Sequence, residues 1–288
     1  MKEGRAAPLF GPGGNCELFE ATKKKTAFVP QWLKDMGLDA YEYEAGRGFA
    51  GSPEAMRQLG LAAKEAGLYV SVHAPYFISL SGVVTETRLK SIGYIEESIE
   101  AARILGADTV VVHTGSAAKI TREEAMRLAS DTLYKTLETL PDIGIAIGLE
   151  TMGKINQLGT LEEVITLCQI DSSRLAPVVD FGHMNARELG KRFLAKDDYR
   201  RVFDMIGNAL GDSSARNLHC HFSKIEWTNG GEKRHLTLDD TLFGPAYEPL
   251  CEVLYEEGLT PTIVCESAGT QSADALRMKR YFGALGGV

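Results

Sequence analysis

The chain has no CxxC pair, no apolar run of bilayer-spanning length and no proline- or serine-rich linker. Its five cysteines, Cys16, Cys168, Cys220, Cys251 and Cys265, are scattered, which excludes a disulfide framework and a cysteine-type zinc site. Without about twenty consecutive apolar residues, no transmembrane helix is expected. The opening MKEGRAAPLF carries charges where a signal peptide needs an apolar core, so a reduced, cytoplasmic protein without membrane contact is expected. Positive charge is also in deficit. Lys+Arg number 31 against 39 Asp+Glu, a formal charge of −8, which excludes a generic nucleic-acid coat protein but not local basic loops. What remains is globular: 44% hydrophobic and 24% charged residues are incompatible with a disordered or collagen-like chain.

Short β-rich runs alternate with longer amphipathic stretches along all 288 residues. Strands are predicted at 7–11, 39–44, 69–74, 109–114, 146–151, 175–181, 216–222 and 262–266. Apolar residues at helical spacing fall between them, over 53–67, 88–106, 121–140 and 241–258. Thr121–Glu124 and Thr160–Glu163 read as capping boxes opening helices, and Gly67 and Gly106 as helix ends. Eight strands in strict alternation, about 36 residues per unit, predict an α/β protein: one (β/α)8 TIM barrel domain over residues 1–288. A doubly wound sheet is the alternative. In a barrel of this kind the chemistry sits at the C-terminal strand ends.

The polar residues gather at those ends. Of six histidines, His73 ends VSVH, His113 ends VVVH, His183 follows VVDFG, and His219 and His221 lie on NLHCHF. His235 sits in the loop after that strand. Glu150 ends IGLE, Asp180 ends PVVD and Glu266 ends IVCE. A lone histidine at a strand end is ordinarily a hydrogen-bonded rim residue, and a lone glutamate a helix-capping acid. So many ionisable groups at one barrel face would each cost several kcal/mol unless something paired them. Divalent ions neutralise carboxylates and take imidazole nitrogens as ligands. This donor set, lacking thiolate, suits zinc, with manganese or iron as alternatives. Cys220 and Cys265 adjoin candidate ligands and should point the opposite way, into the layer between barrel and helices.

Taken together, HAPYFISL (73–80), VVHTGS (111–116), GLETMGK (148–154), VVDFGHMNAR (178–187), HCHFSK (219–224), KRH (233–235) and VCES (264–267) resemble, in order and spacing, the endonuclease IV family. These are zinc-dependent abasic-site endonucleases of the xylose-isomerase-like barrels, and the resemblance runs from about residue 39 to 270. It implies two or three zinc ions. His73 and His113 would bind one, with Glu150 bridging to a second that Asp180, a histidine of the seventh strand and Glu266 complete. Matching HFSK selects His221 as that histidine, whereas matching Lys224 selects His219. Both are metal candidates, with His221 preferred as direct ligand and His219 as its partner. His183 and His235 would hold a third ion with an acid two positions before His235. That position is Lys233 here, and Glu232, the nearest acid, could substitute through a small loop shift.

The resemblance further implies hydrolysis of double-stranded DNA 5′ to abasic sites, with Glu150 as the catalytic carboxylate that bridges and orients, and no protein partner. Paired zinc ions suit phosphodiester hydrolysis because they lower the pKa of water and stabilise attacking and leaving oxygens. Arg47, Lys119, Lys154, Arg187, Lys224, Lys233 and Arg234 fall in loops of the active face and could meet phosphates. Tyr76 and Phe77 take the place of the family's DNA-entering pair, although Phe77 could instead pack under its loop. A single-metal sugar isomerase or epimerase would need only Glu150, Asp180, His221 and Glu266. A non-catalytic metal-binding protein is the third reading.

Overall fold

The computed structural model describes residues 5–49 and 51–286. The first residues, on which the reading of the chain's opening partly rests, lie outside them. Ten strands are present among the described residues: β1 (Leu9–Pro12), β2 (Ala40–Glu44), β3 (Tyr69–His73), β4 (Thr109–His113), β5 (Ala146–Glu150), β6 (Leu175–Asp180), β7 (His219–Phe222), β8 (Lys224–Thr228), β9 (Gly231–Leu236) and β10 (Thr262–Cys265). Eight form one parallel sheet in the order β1-β10-β7-β6-β5-β4-β3-β2. Helices cross over between successive sheet strands, among them Pro53–Ala66, Thr85–Leu105, Arg122–Thr139 and Glu248–Glu257. This is the expected (β/α)8 barrel.

Alternation along each strand separates two cores. Val110 and Val112 on β4, Ile147 and Leu149 on β5, Cys220 and Phe222 on β7, and Ile263 and Cys265 on β10 join the apolar layer beneath the helices. The residues between them face the barrel axis, so Cys220 and Cys265 do point away from the polar side. Helix ends follow local chemistry. Ser52 accepts the Ala55 N–H at the start of Pro53–Ala66, and Gly67 closes that helix at φ 68°. Thr160 and Glu163 form the reciprocal capping box. Thr121 caps Glu124, but the Glu124 carboxylate pairs with Arg127 instead.

Three expectations need correction. The seventh strand begins at His219, because Asp212–Arg216 is helical. The helix predicted over 241–258 spans only Glu248–Glu257, and the segment before it is a loop containing Pro245. The loop after β7 folds into an antiparallel hairpin, β8–β9, whose strands the sequence reading missed. Among the described residues no helix is long and apolar enough to cross a membrane.

The barrel closes between β1 and β2 through the Gly13–Glu42 bridge, with the Gly14 N–H donating to Glu42 O at 2.9 Å. Closure needs Gly11. A Cβ there would lie 1.9 Å from the Ala40 carbonyl oxygen, so any side chain must push the two backbones apart. Gly11→Val should therefore destabilise the protein by more than about 2 kcal/mol, measured by urea denaturation.

Candidate metal centre

Glu150, at the end of β5, is buried where four imidazoles converge. Its Oε2 lies 3.4 Å from His73 Nε2 and 3.2 Å from His113 Nε2. Its Oε1 lies 3.0 Å from His221 Nδ1 and 3.4 Å from His183 Nδ1. The two oxygens thus face different histidine pairs. Asp180 ends β6 beside them, with Oδ1 accepting the His183 N–H at 2.6 Å and Oδ2 lying 3.4 Å from His183 Nδ1. Glu266, one residue past β10, is 3.4 Å from His221 Nδ1. A cavity of about 510 Å³ opens above the cluster, lined by His73, His113, Glu150, His183, His235 and Glu266, among others.

The donors divide into adjoining groups whose ligand atoms are close enough to share an ion: His73, His113 and Glu150; Glu150, Asp180, His221 and Glu266; His183, Glu232 and His235. Buried Glu150 Oε2 and Asp180 Oδ2 lack hydrogen-bond partners. Unpaired buried carboxylate oxygens cost several kcal/mol, and a divalent cation would satisfy them. The donor set therefore fits zinc or a similar ion.

Backbone carbonyls orient two of the imidazoles. A carbonyl only accepts, so Nδ1 of His73 donates to Ala74 O at 2.9 Å, which leaves Nε2 facing Glu150. His183 Nδ1 donates likewise to Thr151 O at 3.0 Å, leaving Nε2 toward Glu232 at 3.5 Å. Electrostatics match this crowding. Burial opposes ionisation of Glu150, but the His113, His183, His221 and His73 rings hold its carboxyl well below the usual range. Burial likewise disfavours charged His73, yet Glu44 and Glu150 raise it to about 10. His183 and His221 are raised well above their ordinary value by the surrounding carboxylates, against burial. Burial, aided by the Glu150 charge, pushes Glu266 up to about 8. Protons thus offset the negative charge wherever no cation does.

The β8–β9 hairpin resolves the departure at Lys233. Trp227 pairs with Glu232 and Glu226 with Arg234, so Lys233 is the extra residue of a β-bulge. In a regular strand Glu232 and His235, three apart, would face opposite sides. The bulge returns them to one face, beside His183. Lys233 points the other way, with Nζ 2.5 Å from Glu226.

The two histidines of the seventh strand differ in depth. His221 reaches the cluster, whereas His219 lies one pleat lower and meets Glu42 of β2, Nε2 to Oε2 at 2.9 Å. Glu42 and Glu44 were missed by the sequence reading. Glu44 lines the cavity, where its side chain keeps contact with solvent. Glu42 lies below, where His221 and His219 hold it well under the usual range despite burial. The available signal was strand parity: Glu44 ends its strand as His73 ends the next.

The candidate DNA contacts separate by their partners. Arg234 pairs with Glu226 at 2.6 Å, and Lys224 Nζ donates to Asp240 O. Arg187 donates to the Lys154 and Ile155 carbonyls at 2.7 and 2.9 Å, so it braces the β5 loop. Arg47 and Lys119 are exposed, and Lys154 lines the cavity. Tyr76 also lines the cavity and is 53% exposed, whereas Phe77 packs edge-on against Tyr94 at 4.6 Å.

Known proteins share this architecture. A model of the family described as xylose isomerase-like TIM barrel matches residues 30–281. An uncharacterised protein of Methanocaldococcus jannaschii is 29% identical over 258 residues, covering 86% of this chain and 89% of its own. A probable endonuclease 4 of Acholeplasma laidlawii is 28% identical over 201 residues, 67% of this chain and 66% of that protein. Among solved structures, a D-tagatose 3-epimerase-like protein matches with TM-score 0.71 at 20% identity, covering 96% and 97% of the two chains. Endonuclease IV from Thermus thermophilus matches with TM-score 0.66 at 22% identity, over 96% and 100%. At these identities the structural likeness is one of fold. The eight-stranded parallel barrel and a family match over most of its length establish that the chain belongs to the xylose isomerase-like TIM barrel family.

Proposed function

We propose that this protein is a zinc-dependent phosphodiesterase that hydrolyses double-stranded DNA 5′ to abasic sites. The observation that carries the reading is that more donors converge than one ion can use: His73, His113 and Glu150, then Glu150, Asp180, His221 and Glu266, then His183, Glu232 and His235 are among several overlapping groups close enough to share an ion. A single-metal isomerase would use only Glu150, Asp180, His221 and Glu266, leaving His73, His113, His183, Glu232 and His235 without a shared task. The relatives described as probable endonuclease 4 support the same choice. The epimerase reading draws on the group Glu150, Asp180, His221 and Glu266, which could serve one ion alone, and on epimerase-like barrels of the same fold.

Bound zinc would supply Lewis acidity and lower the pKa of water toward neutrality. The protein's own part is positioning. Glu150 joins the two histidine pairs through its separate oxygens and holds the nucleophile's side of the cavity. Six carboxylates, Glu42, Glu44, Glu150, Asp180, Glu232 and Glu266, gather in and beneath the cavity, and bound cations would make it more attractive to a phosphodiester. Lys154 lines that cavity and would meet a backbone phosphate. Tyr76, exposed at its rim, is positioned to replace stacking lost when the abasic nucleotide leaves the helix.

Native mass spectrometry of the purified protein should find two or three transition-metal ions per chain, and a count of one would favour the epimerase. Because His73, His183 and His221 are shifted upward and must lose protons to bind, zinc affinity should rise from pH 6 to pH 8. Calorimetry in buffers of different ionisation enthalpy should detect the released protons; proton-neutral binding would contradict these shifts. Glu150→Gln should reduce nicking of an abasic duplex by at least about a thousandfold and lower metal content.

The bulge gives a separate test. Glu232→Gln should lower occupancy by about one ion, whereas deletion of Lys233 should retain that ion, since Glu-x-His spacing keeps both side chains on one face. Equal occupancy of the Glu232 variant and wild type would remove Glu232 from the ligand set. At the rim, Tyr76→Ala should weaken cleavage of abasic duplex about tenfold with metal content unchanged, since aromatic stacking contributes about 1–3 kcal/mol. Phe77→Ala should chiefly lower the melting temperature because its ring packs on Tyr94. Equal cleavage by Tyr76→Ala and wild type would eliminate the wedge.

A further inference from the structure

One pleat below the candidate ligands, the barrel axis holds a carboxylate outside the three groups assigned above. Glu42 on β2 is fully buried, yet it is surrounded by polar atoms. Its Oε2 accepts from Ser71 Oγ at 2.7 Å and from His219 Nε2 at 2.9 Å. Its Oε1 lies 2.8 Å from His221 Nε2, an ion-pair contact that is not aligned as a hydrogen bond. On the other side of the same imidazole, Nδ1 is 3.0 Å from Glu150 and 3.4 Å from Glu266. His221 therefore stands between two sets of carboxylates, one facing the cavity and one facing the barrel floor.

A neutral imidazole carries its proton on one nitrogen and offers a lone pair on the other. A carboxylate beside Nε2 keeps the proton there, which turns the Nδ1 lone pair toward Glu150, Asp180 and Glu266. It also fixes the ring plane and makes Nδ1 more basic toward a cation. Backbone carbonyls perform this service for His73 and His183. Among the described residues, the carboxylate facing His221 Nε2 is Glu42, and the backbone around it belongs to the barrel-closing seam, where Glu42 bridges Gly13. Ser71 and His219 hold the Glu42 carboxylate in turn.

We propose that Glu42 is the positioning carboxylate of His221, selecting Nδ1 as its metal-binding atom, with Ser71 and His219 fixing Glu42 in place. This rests on the metal-dependent reading above. It also gives His219 a role that does not require it to touch the ion bound by Glu150, Asp180, His221 and Glu266.

The test is zinc titration of the full chain against a chromophoric chelator, comparing wild type with Glu42→Gln and recording the melting temperature of each metal-free protein. The expected result is about ten- to hundredfold weaker binding of one ion, with unchanged stoichiometry at saturation and an unchanged metal-free melting temperature. Unchanged affinity overturns the proposal while leaving the metal-dependent reading intact. Loss of one ion even at saturating zinc also overturns it, because Glu42, His219 and His221 would then form a metal site of their own. A wild-type protein that binds no zinc defeats both readings together. Should Glu42→Gln fail to fold, Ser71→Ala removes one of the hydrogen bonds holding the carboxylate. It should weaken the same ion about two- to tenfold, and wild-type affinity in that variant overturns the proposal.

Discussion

The arrangement depends on a buried carboxylate that cannot stand alone. Glu150 sits at the end of β5 with both oxygens enclosed, and four histidines from β3, β4, β7 and the helix after β6 surround it. An isolated anion in that position would oppose folding by several kcal/mol. Its neutralisation requires the ends of several strands to be in register at once. The barrel satisfies this condition because parallel strands bring their C-terminal ends to one face. Site and fold are consequently one electrostatic problem, and whatever loosens the barrel seam near β2 also loosens the floor under His221.

The polar side of the barrel is layered. Uppermost are Tyr76, Lys154 and Glu44 around the cavity mouth, then the His/Asp/Glu groups, then Glu42 with His219 and Ser71. Each layer constrains the one above it. Arg187 adds bracing from outside, drawing the loop after β5 together through its carbonyls, while the Glu232 N–H donates to Gly153 O at 3.0 Å. That loop and the β8–β9 hairpin are therefore joined into one wall of the site, which bears both Lys154 and Glu232.

Charge shapes the substrate problem. The cavity concentrates acidic groups, and several of the rim cations are already engaged inside the chain, Arg187 with carbonyls and Lys233 and Arg234 with Glu226. On the proposed reading, attraction of a polyanion would come chiefly from cations bound within the cluster and from Arg47, Lys119 and Lys154. This distribution fits a protein that is acidic overall, because binding of DNA depends on local rather than net charge.

Much of this was legible in the sequence. Eight β-rich runs alternating with amphipathic stretches determined the barrel, and recurrent His, Asp and Glu at strand ends pointed to the face where His73, His113, Glu150, Asp180, His183 and Glu266 gather, because parallel closure leaves little freedom in where such ends meet. Strand parity likewise determined that Cys220 and Cys265 face away from the site. Tertiary structure decided the rest. His219 and His221 share a face, so only depth within the barrel separates the cavity-facing ring from the one that meets Glu42. Glu232 and His235 reach one face only because a bulge absorbs Lys233, and a bulge is set by pairing with β8 rather than by the strand's own residues. Glu42 and Glu44 read locally as an ordinary alternating strand. Strand parity marks the end position of Glu44, which pairs with His73 on β3, whereas the place of Glu42 under the cluster depends on its reaching His219 and His221 of β7 across the barrel, segments far apart in the chain.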